Sequence, residues 1–129
     1  VQKVLIADDD LDDIELLKEA INECSADIAI SYVTDGNQLM DTLLSTPLPD
    51  LLILDLNMPC KEGKECLSEI RANEHLKSLT IIVYSTSGTT SLQNECIALG
   101  ANYFVTKPSQ MSGIIKFVES IVKGSFDFV

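Results

Sequence analysis

Four places in the chain carry side chains that could do chemistry together. They are the acidic run Asp8-Asp9-Asp10, Asp55 with Asn57 two residues on, Ser85-Thr86, and Lys107 before Pro108. Each alone has an ordinary structural role: acids ahead of a helix complement its dipole, Asp-x-Asn makes a turn, a serine hydroxyl satisfies a neighbour, and a lysine is solvated charge. Brought to one rim they mean something else. Asp8, Asp9 and Asp55 would repel one another, and a hard cation bound through oxygen relieves that repulsion. Mg2+ suits a site with few carboxylates that leaves positions open for phosphate oxygens. Lys107 adds a positive charge on the other flank and Ser85 a hydroxyl donor. A phosphoryl group on Asp55 would be held by metal, ammonium and hydroxyl together, and phosphoryl transfer is largely positioning and electrostatic stabilisation. Asp55 is the expected nucleophile, carrying an acyl phosphate.

The elements that must position these residues are legible as alternating patterns. Leu51-Leu52-Ile53-Leu54 is an apolar run bounded by Pro49-Asp50 and by Asn57-Met58-Pro59, which reads as a short strand buried on both faces of a parallel sheet. Asp55 stands at its carboxyl end, where open parallel sheets place their ligands. Lys3–Ala7 is a second such run. The segment after it carries Ile14, Leu17, Ile21 and Cys24 on one helical face, with Asp10 or Asp12 as its cap. Residues 28–33 alternate like a strand near an edge. Asp35-Gly36 makes a turn into a helix with Leu39, Met40, Leu43 and Leu44, stopped by Pro47. Cys66, Leu67 and Ile70 mark a third helix, Thr80–Tyr84 a fourth strand, and Leu92, Cys96 and Leu99 a weaker helix ended by Gly100. Residues 102–106 form a fifth strand, and Met111, Ile114, Ile115, Val118, Ile121 and Val122 the clearest helix. Strands alternating with helices predict one α/β domain over residues 1–129, a flavodoxin-like (βα)5 fold with parallel strand order 2-1-3-4-5. That order sets the strand ends at Asp8, Asp55 and Ser85 side by side. The segment 124–129, with Phe126 and Phe128, falls past the last helix and finds no place in this scheme.

Composition narrows the class. At 129 residues, with 46% hydrophobic and 22% charged residues, the chain is long enough for a real core. Nine basic against 20 acidic residues leave a net charge of −11, which argues against direct nucleic-acid binding and fits a cation site or a partner-binding module. No apolar run approaches the ~18 residues of a membrane span and no signal-peptide pattern opens the chain, so no membrane association and a cytoplasmic location are expected. Cys24, Cys60, Cys66 and Cys96 form no C-x-x-C pair and are expected as free thiols, and His75 as a surface loop residue.

Asp8-Asp9, Asp55-Leu56-Asn57-Met58-Pro59, Gly63, Ser85-Thr86 and Lys107-Pro108, in that order and spacing, resemble the receiver domains of bacterial two-component response regulators of the chemotaxis-regulator type, over about the whole chain. The resemblance implies phosphorelay signal transduction, with Asp55 accepting phosphate from the phosphohistidine of a sensor histidine kinase or phosphotransfer protein. It implies Mg2+ held by Asp9, Asp55 and the backbone carbonyl of Asn57, with Asp8 acting mainly through a water. It further implies that Ser85 reports phosphorylation, that Lys107 pairs with the phosphoryl group, and that the Lys107–Pro108 bond is cis, as is typical in the family. Ser85, Thr86, Phe104 and Pro108 would form the switch. The Ser85 hydroxyl is drawn to the phosphate, the loop follows, and space opens for Phe104, altering the surface of the fourth helix, fifth strand and fifth helix for a downstream protein partner. Such a domain is a signalling phosphoacceptor and not a turnover enzyme.

Some positions depart from the family pattern. Phe104 lacks the hydroxyl of the tyrosine version, and Asn57 and Ser87, at the positions that tune dephosphorylation, are neither acidic nor basic. No output domain follows the fifth helix, so a stand-alone receiver or one excised from a longer protein is expected. The segments Asp12–Leu17 and Tyr84–Ser87 resemble small stand-alone regulators, including those paired with bacterial phytochromes. An apolar fifth helix and an aromatic tail would allow a dimer without requiring one. Three rival readings stand beside this one, of which the third stays open. A phosphohydrolase of the haloacid dehalogenase type needs a second acid where Asn57 stands. A flavin carrier needs a hydroxyl- and glycine-rich loop where Asp8-Asp9-Asp10 would repel phosphate. A phosphorylation-independent pseudo-receiver would normally lack one of the key residues, and none is missing.

Overall fold

The computed structural model describes residues 2–45 and 47–124. Its elements alternate as β1 (Lys3–Ala7), α1 (Leu11–Cys24), β2 (Ala29–Val33), α2 (Gly36–Ser45), β3 (Leu51–Leu54), α3 (Gly63–Ala72), β4 (Thr80–Ser85), α4 (Thr90–Leu99), β5 (Tyr103–Thr106) and α5 (Met111–Lys123). The strands form one sheet in the order β2-β1-β3-β4-β5, every pair parallel. The expected topology is therefore the observed one.

Each strand sends alternate residues to opposite faces. In β3, Leu52 and Leu54 join a core with Leu39, Leu43, Cys66, Leu67, Ile70 and Cys96, which belong to α2, α3 and α4. Leu51 and Ile53 join a second core with Ile14, Leu17, Ile21, Phe117, Val118 and Ile121 from α1 and α5. All four β3 residues are buried, as a strand covered on both faces must be. Burying each such side chain contributes roughly 1.5–3 kcal/mol, and the strand is held in place from two sides. The edge strand β2 shows the contrasting pattern, with Ala29, Ser31 and Tyr32 exposed and Val33 buried.

Several local expectations are decided by the caps. Asp10, not Asp12, caps α1: its Oδ1 accepts from the Asp12 and Asp13 N–H groups at 2.9 and 3.4 Å. Asp35 acts likewise for α2, accepting from the Gln38 N–H at 2.8 Å, so the expected turn there is the helix entry itself. Gly100 ends α4 at φ 116, a conformation L side chains rarely adopt. Three residues assigned to apolar helix faces are outside instead. Cys24 is exposed as the last residue of α1, Met111 is exposed as the first residue of α5, and Leu44 is 59% exposed, one position around from the buried Leu43. Cys24, Cys60, Cys66 and Cys96 are free thiols and His75 is exposed. Phe126 and Phe128 lie outside the described residues. Among those residues, no helix is long and apolar enough to cross a membrane.

Candidate functional site

The carboxyl ends of β1, β3, β4 and β5 meet at one rim. Asp8 is the first residue past β1; its N–H donates to the Val33 carbonyl at 3.1 Å and its Oδ1 accepts from the Asp10 N–H at 2.9 Å. Asp55 is the first residue past β3, with its N–H donating to the Ala7 carbonyl at 2.8 Å and its Oδ1 accepting from the Asn57 N–H at 3.3 Å. Both are almost fully buried, at 1% and 5% exposure, while Asp9 faces solvent. Carboxylate oxygens of Asp8, Asp9 and Asp55 all lie within 4.8 Å of one another. Gly63 allows this layout. A Cβ there would stand 2.7 Å from the Asp55 carbonyl oxygen and 2.6 Å from the Leu56 Cα, so only glycine lets α3 start so close to the end of β3.

Lys107, just past β5, supplies the counter-charge. Its backbone N–H donates to the Ser85 carbonyl at 2.7 Å. Its Nζ reaches Oδ2 of Asp13 at 2.8 Å, of Asp8 at 2.9 Å and of Asp55 at 3.6 Å. Nζ also stands 5.7 Å from the centroid of the Tyr84 ring, which stacks on Phe117 of α5 at 4.9 Å. Burial, and then the negative charge of Asp8, push the Asp55 carboxyl up to about 6, against the pull of Lys107. Burial alone would lower the Lys107 ammonium, but its bonds to Asp13 and Asp8 and the nearby Asp55 outweigh that and raise it above the ordinary lysine range. Too many carboxylates share one ammonium, and that deficit of positive charge is what a cation would fill. The donor set is all oxygen and anionic, which fits Mg2+.

A cleft of about 490 Å3 opens beside this cluster, lined in part by Asp9, Asn57, Met58, Lys64, Ser85 and Ser87. Ser85 is buried, and its Oγ accepts from the Ser87 N–H at 3.3 Å. Thr86 is exposed on the loop that follows. Phe104 is half-buried against the core under α2, α3 and α4, whereas its neighbours Tyr103 and Val105 face α1 and α5. One expectation is corrected. The Lys107–Pro108 bond is trans, for no cis peptide occurs among the described residues. Trans is the lower-energy form of an X–Pro bond by roughly 0.5–1 kcal/mol, and Lys107 is aimed here by its carboxylate partners.

The rim thus gathers Asp8, Asp9, Asp55, Asn57, Ser85 and Lys107, with Thr86, Phe104 and Pro108 around it. Asp13 and Tyr84 belong to it too and were not singled out from the sequence. An acid in the first turn of a helix is ordinarily read as a dipole partner, and a tyrosine in an apolar strand as core. The available signal was topological: the first turn of α1 begins at the same rim as Asp8.

A parallel 2-1-3-4-5 sheet with an acidic pocket at its carboxyl edge defines a flavodoxin-like fold with a candidate cation site at its rim. The chain belongs to the response regulator receiver domain family, which it matches over residues 4–119. It is 30% identical over 124 residues to response regulator Rcp1 of Synechocystis sp., across 92% of this chain and 84% of that one. Among solved structures, it is similar to the phosphorylated cyanobacterial phytochrome response regulator RcpA, with 28% identity and a TM-score of 0.87 across 99% of this chain and 96% of that one. The Mn2+-bound form of response regulator Rcp1 gives 28% identity and 0.87 across 100% and 97%. RPA3017, a response regulator in red light signaling of R. palustris, gives 25% identity and 0.85 across 100% and 96%. The protein is a receiver domain of two-component signalling. Receiver domains bind Mg2+ at an acidic pocket, and the Asp8, Asp9 and Asp55 cluster is consistent with one.

Proposed function

We propose that residues 1–129 act as one phosphoacceptor unit that takes a phosphoryl group onto Asp55 from the phosphohistidine of a sensor histidine kinase or phosphotransfer protein. The observation that carries this reading is the convergence of three carboxylates within 4.8 Å, with the Lys107 ammonium 3.6 Å from Asp55. In the transfer, a carboxylate oxygen of Asp55 attacks phosphorus, the P–N bond to the donor imidazole breaks, and that imidazole leaves with its electron pair and takes up a proton. Asp8, Asp9, Asp55 and the Asn57 carbonyl are the ligands assigned to Mg2+, which when bound offsets the charge gathered on the phosphoryl oxygens. Lys107 pairs with a phosphoryl oxygen from the opposite flank. Ser85, whose Oγ accepts from Ser87 in the resting state, donates its O–H to another.

The switch follows from that last bond. Moving Ser85 draws residues 86–89 inward, and this loop already lies on β5, since a Cβ at Gly88 would collide with Thr106 Oγ1. Phe104, half-buried on the same side as α4, shifts with it, and the α4-β5-α5 surface presents a different face to a downstream protein. With no hydroxyl on Phe104, packing alone reports the change. The chain catalyses its own phosphorylation and dephosphorylation and turns over no other substrate. A phytochrome-type kinase is the donor class that the phytochrome and red-light relatives support.

Intact mass after incubation with acetyl phosphate tests the reading. The parent gains one phosphate only with Mg2+ present, and Asp55→Asn gains none. No adduct in the parent, together with no response to Mg2+ and beryllofluoride by NMR, would overturn it and leave a phosphorylation-independent binding module.

A further inference from the structure

We propose that Asp13 is a positioning residue for this site: it holds the Lys107 ammonium on the α1 side of the pocket at rest and must yield it when Asp55 is phosphorylated. The inference rests on Asp55 being the phosphoacceptor. An ammonium has three N–H donors, and Lys107 finds three carboxylates at graded distances: Asp13 at 2.8 Å, Asp8 at 2.9 Å and Asp55 at 3.6 Å. The future phosphoryl site is therefore the most distant of the three. The Tyr84 ring, backed by Phe117, stands alongside, so Lys107 is confined to a choice among these carboxylates.

The partners are not equivalent. The Asp8 side chain is 2% exposed and leaving it unpaired would be costly, whereas that of Asp13 is 30% exposed and water can replace the lost bond. Asp13 is thus the contact that can be given up. A dianionic phosphoryl group on Asp55 outbids a single carboxylate for Lys107, and the swing of Nζ toward it breaks the tie between the β5–α5 connection and the first turn of α1. Asp13 thereby sets the balance between resting and phosphorylated states.

Beryllofluoride binding in the presence of Mg2+, followed by NMR, tests this in the parent, Asp13→Asn, Asp13→Glu, Lys107→Ala and the Asp13→Asn/Lys107→Ala double variant. Asp13→Asn is expected to bind roughly three- to tenfold more tightly, the range for loss of one half-exposed charged contact. Asp13→Glu is expected to return toward the parent value. In the Lys107→Ala background the Asp13 substitution is expected to change nothing, because its effect runs through the ammonium. A merely structural Asp13 would shift the melting temperature and leave beryllofluoride affinity alone. Equal or weaker binding by Asp13→Asn, or an effect that persists without Lys107, overturns the inference. If the parent itself takes no beryllofluoride, the phosphoacceptor reading has failed first.

Discussion

Asp55 is a carboxylate kept where a carboxylate is expensive to keep. Its folded pKa is raised from 3.8 to about 6, chiefly by burial and then by Asp8. The native state therefore holds its proton more firmly than the unfolded chain does. Between pH 4 and 6 the folded state binds more protons than the unfolded one, so stability falls as pH rises through that window and the full penalty is present above it. Asn at the same position cannot titrate. Asp55→Asn is expected to match the parent near pH 4 in EDTA and to exceed it at pH 7 by on the order of 2–3 kcal/mol. Thermal melts at the two pH values check this, and a stability difference that does not change with pH would contradict it. At this scale the sequence was informative about identity and poor about pairing. Asp8, Asp55, Ser85 and Lys107 were legible because each ends an apolar run. That Lys107 would sit nearest Asp13 was not, because a sequence separation of 94 hides a contact that only the folded rim creates.

At the scale of elements, the site depends on how closely helices approach strand ends. The β3–α3 connection is a tight case beside the site, with the Gly63 N–H donating to the Leu56 carbonyl at 3.0 Å and no room for a side chain between. A Cβ at 63 meets backbone, which cannot rotate away as a flexible side chain can. Gly63→Ala is expected to cost roughly 1–3 kcal/mol, as other overpacked sites do, and to loosen Mg2+ binding by displacing Asp55. Urea unfolding gives the first quantity and an Mg2+ titration the second; a variant with parental stability would show that α3 can simply slide outward. The helices themselves were readable from their apolar spacing, and errors fell at a helix end, as at Cys24, and at the margin of an apolar face, as at Leu44. Periodicity reports which face is apolar, but not how far along the helix the sheet continues.

On the scale of the whole molecule, the net charge of −11 and the pocket act in the same direction. A cation that settles among Asp8, Asp9 and Asp55 relieves both the local repulsion and part of the global one, whereas it gains less on the unfolded chain, where Asp55 lies far along the sequence from the adjacent Asp8 and Asp9. Binding to the native state alone stabilises by mass action, about 2.7 kcal/mol at a concentration one hundred times the dissociation constant. For a domain of this size that corresponds to a rise in melting temperature on the order of 5–15 °C. Adding Mg2+ to the EDTA-treated protein is expected to produce a rise that saturates with concentration. The comparison with Na+ at matched ionic strength separates a site from screening, since screening raises stability gradually and does not distinguish the ions. Asp9→Asn should remove most of the Mg2+-specific rise while keeping the screening response, because Asp9 is exposed and makes no contribution to the core. A parental Mg2+ response in that variant would place the cation elsewhere on the acidic surface, and the pocket would then be an ion-pair network centred on Lys107 rather than a metal centre.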